Sequence, residues 1–369
     1  MDYQQRNPLP LPPSGPTESV RATIDAVFDW RYALDREKLL NLYEKGKALS
    51  WNATDIDWSI DVNVEKLIHN RVANGSYEVV NQMLEPPRPL SPQESVEMQV
   101  NMNAWMLSQF LHGEQGALLA TAKIVLEAPL EEAKWYAANQ VADEARHVEV
   151  YHRYLTEKLG RSFPVNRHLQ TLLDDIIKDS RWDMTYLGMQ IMVEGLALAA
   201  FGMMKIDMAD EPLIADITGR IMQDESRHVA FGVLSLEDIY RNQLTAAELR
   251  EREEFVIEAT YLMRDRLLMD QVYERMGWDV KLWVDWALRT PFMKAFRQML
   301  FSKIVPNLKR LGLLTPRVRE EFAKIGILQF EHLKDSAEDP EVLAPAEFLQ
   351  LMATIRAGTD SSRTERESA

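Results

Sequence analysis

Apolar residues recur at helical spacing along most of the chain, and no run of alternating strands interrupts them. Ile24, Val27, Phe28, Leu34, Leu39, Leu40 and Leu42 predict a helix from Glu18 to about Ser50, ended by the turn Trp51-Asn52-Ala53-Thr54-Asp55. A second helix is expected from about Val64 to Leu84, where Pro86-Pro87-Arg88-Pro89 forms a hard break. Ser91, with Pro92 next and Glu94 three later, is an N-cap signature. Long helices then fit about 92–128, 130–159, 181–208 and 212–241, divided at Pro129, Gly160, Pro164 and Pro212, with a connecting helix near 166–179. Thr245 and Glu248 give a capping box for a helix to about Met276. Further helices fit 279–311, interrupted near Pro291, then 316–335 and 345–357. The expected fold is all-α.

The two ends break the pattern. Residues 1–17 carry Pro8, Pro10, Pro12, Pro13 and Pro16, which predicts an extended arm suited to lie on the body or on a partner subunit. Residues 358–369 are Ser, Thr, Arg and Glu with almost nothing to bury, so a disordered tail is expected. No linker divides the stretch between them, and 18–357 reads as one helical domain.

Inside the long helices a five-residue string occurs twice, as Asp143-Glu144-Ala145-Arg146-His147 and Asp224-Glu225-Ser226-Arg227-His228. Each copy follows a lone glutamate in an apolar run: Glu114 precedes Glu144 by 30 residues, and Glu194 precedes Glu225 by 31. Residues i and i+3 of a helix project to the same side, so each Glu-x-x-His pair can reach one point. Two such pairs and two single glutamates put four carboxylates and two imidazoles in the middle of four helices, the arrangement of di-iron and di-manganese carboxylate sites. One copy alone is readily explained as an exposed helix with an Asp-to-Arg pair at i,i+3. Two copies with two matching glutamates are not.

Composition narrows the chemistry. The 369 residues contain no cysteine, which removes thiolate zinc and iron–sulfur clusters and excludes disulfides. Oxygen donors with imidazole suit iron and manganese. Four carboxylates cancel the charge of two divalent ions, whereas without metal they would raise one another's pKa values. A net charge of −15 argues against nucleic acid as a partner. With charges breaking the apolar runs and no basic-then-apolar start, neither a membrane span nor a secretory signal is expected, and the cytoplasm is the default location.

The six positions and their spacing resemble those of the ferritin-like dinuclear carboxylate oxygenases and oxidases, which include the hydroxylase subunits of bacterial multicomponent monooxygenases and the small subunits of ribonucleotide reductases. The paired Asp-Glu-x-Arg-His string is most similar to the hydroxylases, whereas Tyr43 to Val62 is similar to the early segment of the reductase subunits, in which a tryptophan takes part in electron transfer. The resemblance covers roughly residues 40–245. It implies a ferritin-like four-helix bundle with added flanking helices, Glu114, Glu144, His147, Glu194, Glu225 and His228 as metal ligands, and Asp143 and Asp224 as acids that orient the histidines. Arg146 and Arg227 would neutralise those acids. Tyr151, one turn after His147, matches the position of the reductase radical tyrosine and also fits a core tyrosine bonded near the site. Trp51 is open to the same two readings, as electron relay or core aromatic. His112 and His152 lie on other helix faces and are not expected to be ligands.

The resemblance implies two iron ions, or a manganese–iron pair, and reaction with O2 on a small, largely apolar organic substrate, with electrons from a donor protein or reductant and a homodimer as the assembly. Phe110, Leu198, Met222 and Phe231 are candidate pocket walls. The small residues Gly113, Gly116, Ala117, Gly195 and Gly232 either leave room beside the ligands or allow close packing. Two alternatives remain: a radical-generating subunit like that of the reductases, and a ferritin-like ferroxidase. The last tyrosine is Tyr273 and the tail has no aromatic residue, a departure from the reductase pattern. The long stretches on both sides of the site helices, 1–91 and 242–369, are unlike a storage ferritin.

Overall fold

The structure is a computed structural model that describes residues 17–73 and 84–338. Its regular elements are all helical, with no strand among the described residues. In chain order they are α1 (Glu37–Ala48), α2 (Val64–Ala73), α3 (Pro92–Glu127) and α4 (Glu131–Arg153), the last continuing into a π-helical turn, Tyr154–Leu159. α5 (Arg167–Lys178) crosses to α6, one rod in three stretches: Trp182–Tyr186, a π-helical segment Leu187–Val193, and Glu194–Asp207. α7 (Pro212–Asn242) and α8 (Ala246–Asp265) follow, then the shorter α9 (Asp270–Arg275), α10 (Val280–Arg289), α11 (Pro291–Met299), α12 (Ile304–Arg310) and α13 (Pro316–Lys324).

Local chemistry sets the ends of the site helices. Ser91 and Glu94 close a reciprocal capping box, with Ser91 N donating to Glu94 Oε2 at 2.9 Å and Glu94 N to Ser91 Oγ at 3.2 Å, and Pro92 begins α3. α3 and α4 pack along their length as one hairpin, and α6 and α7 form a second. Glu211 caps α7 by accepting from Ile214 N at 2.7 Å, and also accepts from Tyr154 OH at 3.0 Å, which ties the second hairpin to the first. A buried Arg252–Asp183 pair at 2.9 Å anchors α8 on the start of α6, and Tyr240 OH donates to the same carboxylate at 2.9 Å. The outer helices add an aromatic cluster in which Trp283 stacks on Trp278, with ring centroids 4.2 Å apart.

Several boundaries differ from expectation. The helix expected from Glu18 begins only at Glu37. Before it the chain runs extended across the α3–α4 hairpin, where Val27 N donates to Leu126 O at 2.8 Å. The apolar stripe of this segment stays largely at the surface: Phe28 and Trp30 are about 70% exposed, and Tyr32 takes a left-handed φ of 51°. The helix expected to reach Met276 stops at Asp265, because Met269 has a φ of 57° and restarts the chain as α9. The stretch 279–311 is broken at Thr290–Pro291 as expected, and again between Met299 and Ile304. Gly326, with a φ of 76°, ends the helix expected over 316–335 early. The proline-rich arm, apart from Thr17, the end of the second expected helix up to Met83, the helix at 345–357 and the tail at 358–369 lie outside the described residues.

One helix, Trp182–Lys205, is long and apolar enough to cross a membrane by length and composition, a stretch that sequence reading had placed below that threshold. Of its most apolar window 83% is buried inside the protein. It is the most enclosed of the four helices that carry the cluster described next.

Candidate metal centre

Glu114 of α3, Glu144 and His147 of α4, Glu194 of α6, and Glu225 and His228 of α7 meet in the interior, each no more than 6% exposed. Their ligand atoms form two sets, each with all atoms within 4.8 Å of one another: Glu114, Glu144, His147 and Glu225, and then Glu144, Glu194 and His228. Such a cluster could hold metal. His147 Nδ1 faces Glu114 Oε2 at 3.1 Å, Glu225 Oε1 at 3.3 Å and Glu144 Oε2 at 3.4 Å. His228 Nδ1 faces Glu144 Oε1 at 3.1 Å and Glu225 Oε1 at 3.5 Å. Glu144 and Glu225 therefore stand between the two histidines and contact both.

The outer nitrogens are held crosswise. His147 of α4 points Nε2 at Asp224 Oδ2 of α7, 3.1 Å away, and His228 of α7 points Nε2 at Asp143 Oδ2 of α4, 3.2 Å away. With Nε2 turned to a carboxylate, each imidazole directs Nδ1 inward, as a metal-ligating histidine does. Each aspartate is paired with the arginine three residues on, Asp143 with Arg146 and Asp224 with Arg227. Asp224 Oδ2 also accepts from Trp51 Nε1 at 2.7 Å, and the indole lies 6.3 Å from the His147 ring. On the other side Asn139 Nδ2 donates to Asp143 at 3.4 Å, and α1 approaches Asn139 through Gly46, where a Cβ would stand 2.6 Å from that nitrogen.

Burial without a cation strains these groups. Glu114 and Glu194 are pushed well above the ordinary carboxylate range, by burial first and then by neighbouring carboxylates, chiefly Glu225. Burial opposes the charge on Glu144 as well, but the two histidines override it and hold Glu144 below its ordinary value. Asp224 is likewise brought down to about 2 against the effect of burial, mainly by His147. Both imidazoles would be lowered by burial, yet are raised well above 6.5 by the acids around them, Glu114 first for His147 and Glu144 first for His228. Crowded together, the acids and imidazoles shift one another's protonation, an interaction that divalent cations would take over if bound. Glu144 Oε2, Glu194 Oε2, both oxygens of Glu225 and His228 Nδ1 are buried without a hydrogen-bond partner. Orphaned acceptors on an all-oxygen-and-imidazole donor set fit a pair of hard or borderline divalent ions.

No protein-family model matches the chain, and a search of curated proteins finds no match for it.

The other residues singled out in sequence divide into those near the cluster and those away from it. Tyr151 is fully buried one turn from His147, among Phe110 and Phe201, and its hydroxyl is held protonated, first by burial and then by the charge of Glu114. His112 faces Phe163 O at 2.9 Å and fastens a loop, and His152 is exposed, so neither is a ligand. The expected pocket walls do not form one surface. Phe110 packs on Phe201 at 4.5 Å and lies before Glu114, at the same end as Leu198 and Met222. Phe231 belongs to the opposite end, 4.4 Å from Tyr136 and 5.1 Å from Tyr186. At Gly116, Gly195 and Gly232 a Cβ would press on Leu173, Ile304 and Gln190, so close packing explains those three, whereas at Gly113 it would meet nothing within 4 Å.

Sequence reading missed the polar layer at the Phe231 end. Gln140 donates from Nε2 to Glu144 Oε1 and Glu194 Oε1, both at 2.9 Å, and so clamps carboxylates from two helices. Gln190, in the π-helical segment, is fully buried with both amide atoms unpartnered, as are the hydroxyls of Tyr136, Tyr186 and Ser235. The signal was available: Gln140 stands four residues before Glu144 and Gln190 four before Glu194, on the ligand-bearing face of an otherwise apolar run.

Proposed function

We propose that this chain is a ferritin-like, O2-activating dinuclear oxidase or monooxygenase with a pair of iron ions, or manganese and iron, in the buried cluster. The observation that carries the reading is the crosswise arrangement of two Glu-x-x-His pairs, each histidine oriented by the aspartate of the opposite string. Glu114, Glu144, His147 and Glu225 would hold one ion, and Glu144, Glu194, Glu225 and His228 the other. When bound, such a pair supplies the two-electron chemistry that the side chains lack.

The chain's own residues provide the setting. Asp143 and Asp224 fix the orientation of the imidazoles, and Gln140 fixes Glu144 relative to Glu194. Phe110, Phe201 and Tyr151 make one end of the site apolar and exclude water there, which suits a small apolar organic substrate. Incorporating one oxygen atom consumes O2, two electrons and two protons and releases one water, so an external donor is required. Trp51, bonded to Asp224 and near His147, offers a path for those electrons.

The same Trp51–Asp224–His147 connection supports a second reading, a radical-generating subunit in which Tyr151 stores the oxidising equivalent. One experiment separates the two: anaerobic loading with ferrous iron, then exposure to O2 with a donor and apolar substrates. Oxygenase or oxidase action gives O2 uptake in proportion to donor and substrate, with a product that has gained an oxygen atom or lost two hydrogens. A long-lived tyrosyl radical with no substrate-dependent O2 uptake supports the second reading.

A further inference from the structure

The helices outside the centre form a second feature, a solvent-open cavity of about 230 Å3 that shares no residue with the metal-bearing helices. Four cationic side chains line it, Arg264, Lys294, Arg297 and Lys324, and no acidic residue does among those described. In a chain of net charge −15 such a wall is not a general property of the surface. Its remaining lining is largely apolar, with Leu288, Phe301 and Ile327 contributing.

Two of the four cations already have partners outside the cavity. Arg264 pairs with Asp265 at 2.6 Å, and Lys324 with Glu321 at 2.8 Å and Glu320 at 3.1 Å. The other two do not. Lys294 is exposed and has no ion pair among the described residues. Arg297 is only 5% exposed, and among the described residues its guanidinium donates only to backbone carbonyls, those of Ala287 and Leu288, the latter at 3.1 Å. A buried guanidinium is normally matched by a carboxylate or phosphate. Arg297 makes no such direct pair among the described residues; burial, followed by the like charge of Arg264, lowers it to about 10, against a smaller opposing effect of Asp265, the carboxylate already paired with Arg264.

We infer that this cavity binds a small organic anion, a carboxylate carried on an apolar body, with Arg297 and Lys294 as its charge partners and Leu288, Phe301 and Ile327 against its apolar part. Guanidinium suits a carboxylate because its planar donors match two oxygens at once. Inorganic phosphate would satisfy the charge but leave the apolar wall uncovered.

The test is calorimetric titration of octanoate, and separately of inorganic phosphate, into the metal-loaded full chain at low ionic strength. Octanoate should saturate one site per chain and bind at least about fivefold more tightly than phosphate. Lys294→Glu should weaken octanoate at least about fivefold and Arg297→Gln at least about tenfold, with metal content unchanged in both. Lys294 is exposed, so its variant keeps the test decisive even if Arg297→Gln fails to fold. Absence of saturable octanoate binding would overturn the inference, as would equal affinity in Lys294→Glu, which would place octanoate elsewhere. Phosphate binding as tight as octanoate would overturn the apolar half of the recognition.

Discussion

Asp224 on α7 holds His147 on α4, with Oδ2 3.1 Å from Nε2, and the same oxygen accepts from Trp51 Nε1 at 2.7 Å. The carboxylate sets the direction of a ring that faces three glutamates. Asp224→Ala is expected to leave the fold intact and to lower metal affinity or turnover about 10- to 100-fold. Metal titration of the variant beside the wild type checks this, and unchanged affinity and turnover would reduce Asp224 to a packing role.

The polar layer makes a separate prediction. At Gly232 an added Cβ would stand 2.5 Å from Gln190 Cβ and 3.2 Å from Ile191 Cδ1, so Gly232→Ala overpacks the junction of α6 and α7. The expected cost is about 1–3 kcal/mol of stability. Gly113→Ala meets open space on a mid-helix position and should be neutral or gain up to about 1 kcal/mol. Denaturant unfolding of both variants decides it, and equal stability of the pair would count against the packing described.

The metal-free protein should lose stability as pH rises. His147 and His228 have folded pKa values raised above 6.5, and Glu114 and Glu194 are raised as well. A group that holds its proton more tightly when folded adds stability below its unfolded pKa and loses it as pH climbs through the folded value. Glu144 and Asp224, both lowered, act in the opposite sense: their contribution is present above about pH 4.5 and lost as pH falls. Tm after chelator treatment should therefore peak at mildly acidic pH and fall above about pH 6.5. Bound divalent ions replace the protons, so the metal-loaded protein should not show the alkaline decline. A chelated protein as stable at pH 8 as at pH 6 would contradict this.

Tyr151 lies among Phe110 and Phe201 with its hydroxyl buried and protonated. As a group packed near the cluster, it can be replaced by phenylalanine for on the order of 1 kcal/mol, and Tyr151→Phe should keep substantial turnover. Electron paramagnetic resonance after aerobic iron loading gives the opposing result its signature: a stable tyrosyl radical that vanishes in Tyr151→Phe together with all activity.

The cluster was legible because helical geometry is rigid. A Glu-x-x-His pair has one spatial meaning on a helix, so two pairs and two spaced glutamates were enough to nominate six residues that do come together. Breaks at Pro92, Pro212 and Pro291 were legible for the same reason. The segment before Glu37 was not, since its apolar spacing suits a helix, whereas it runs without regular structure and leaves Phe28 and Trp30 about 70% exposed. The turn at Met269 was hidden by a residue that rarely adopts positive φ. Which end of the centre each aromatic residue faces depends on helix direction, so Phe110 and Phe231 were grouped although they lie at opposite ends.

If the buried carboxylates and imidazoles hold two metal ions, elemental analysis of the purified chain will count them. After anaerobic loading and removal of free metal, about two Fe or Mn per chain are expected in the wild type, and Glu144→Ala and His228→Ala should each lose at least one. A wild type that retains no metal, or full metal content in both variants, would contradict the account.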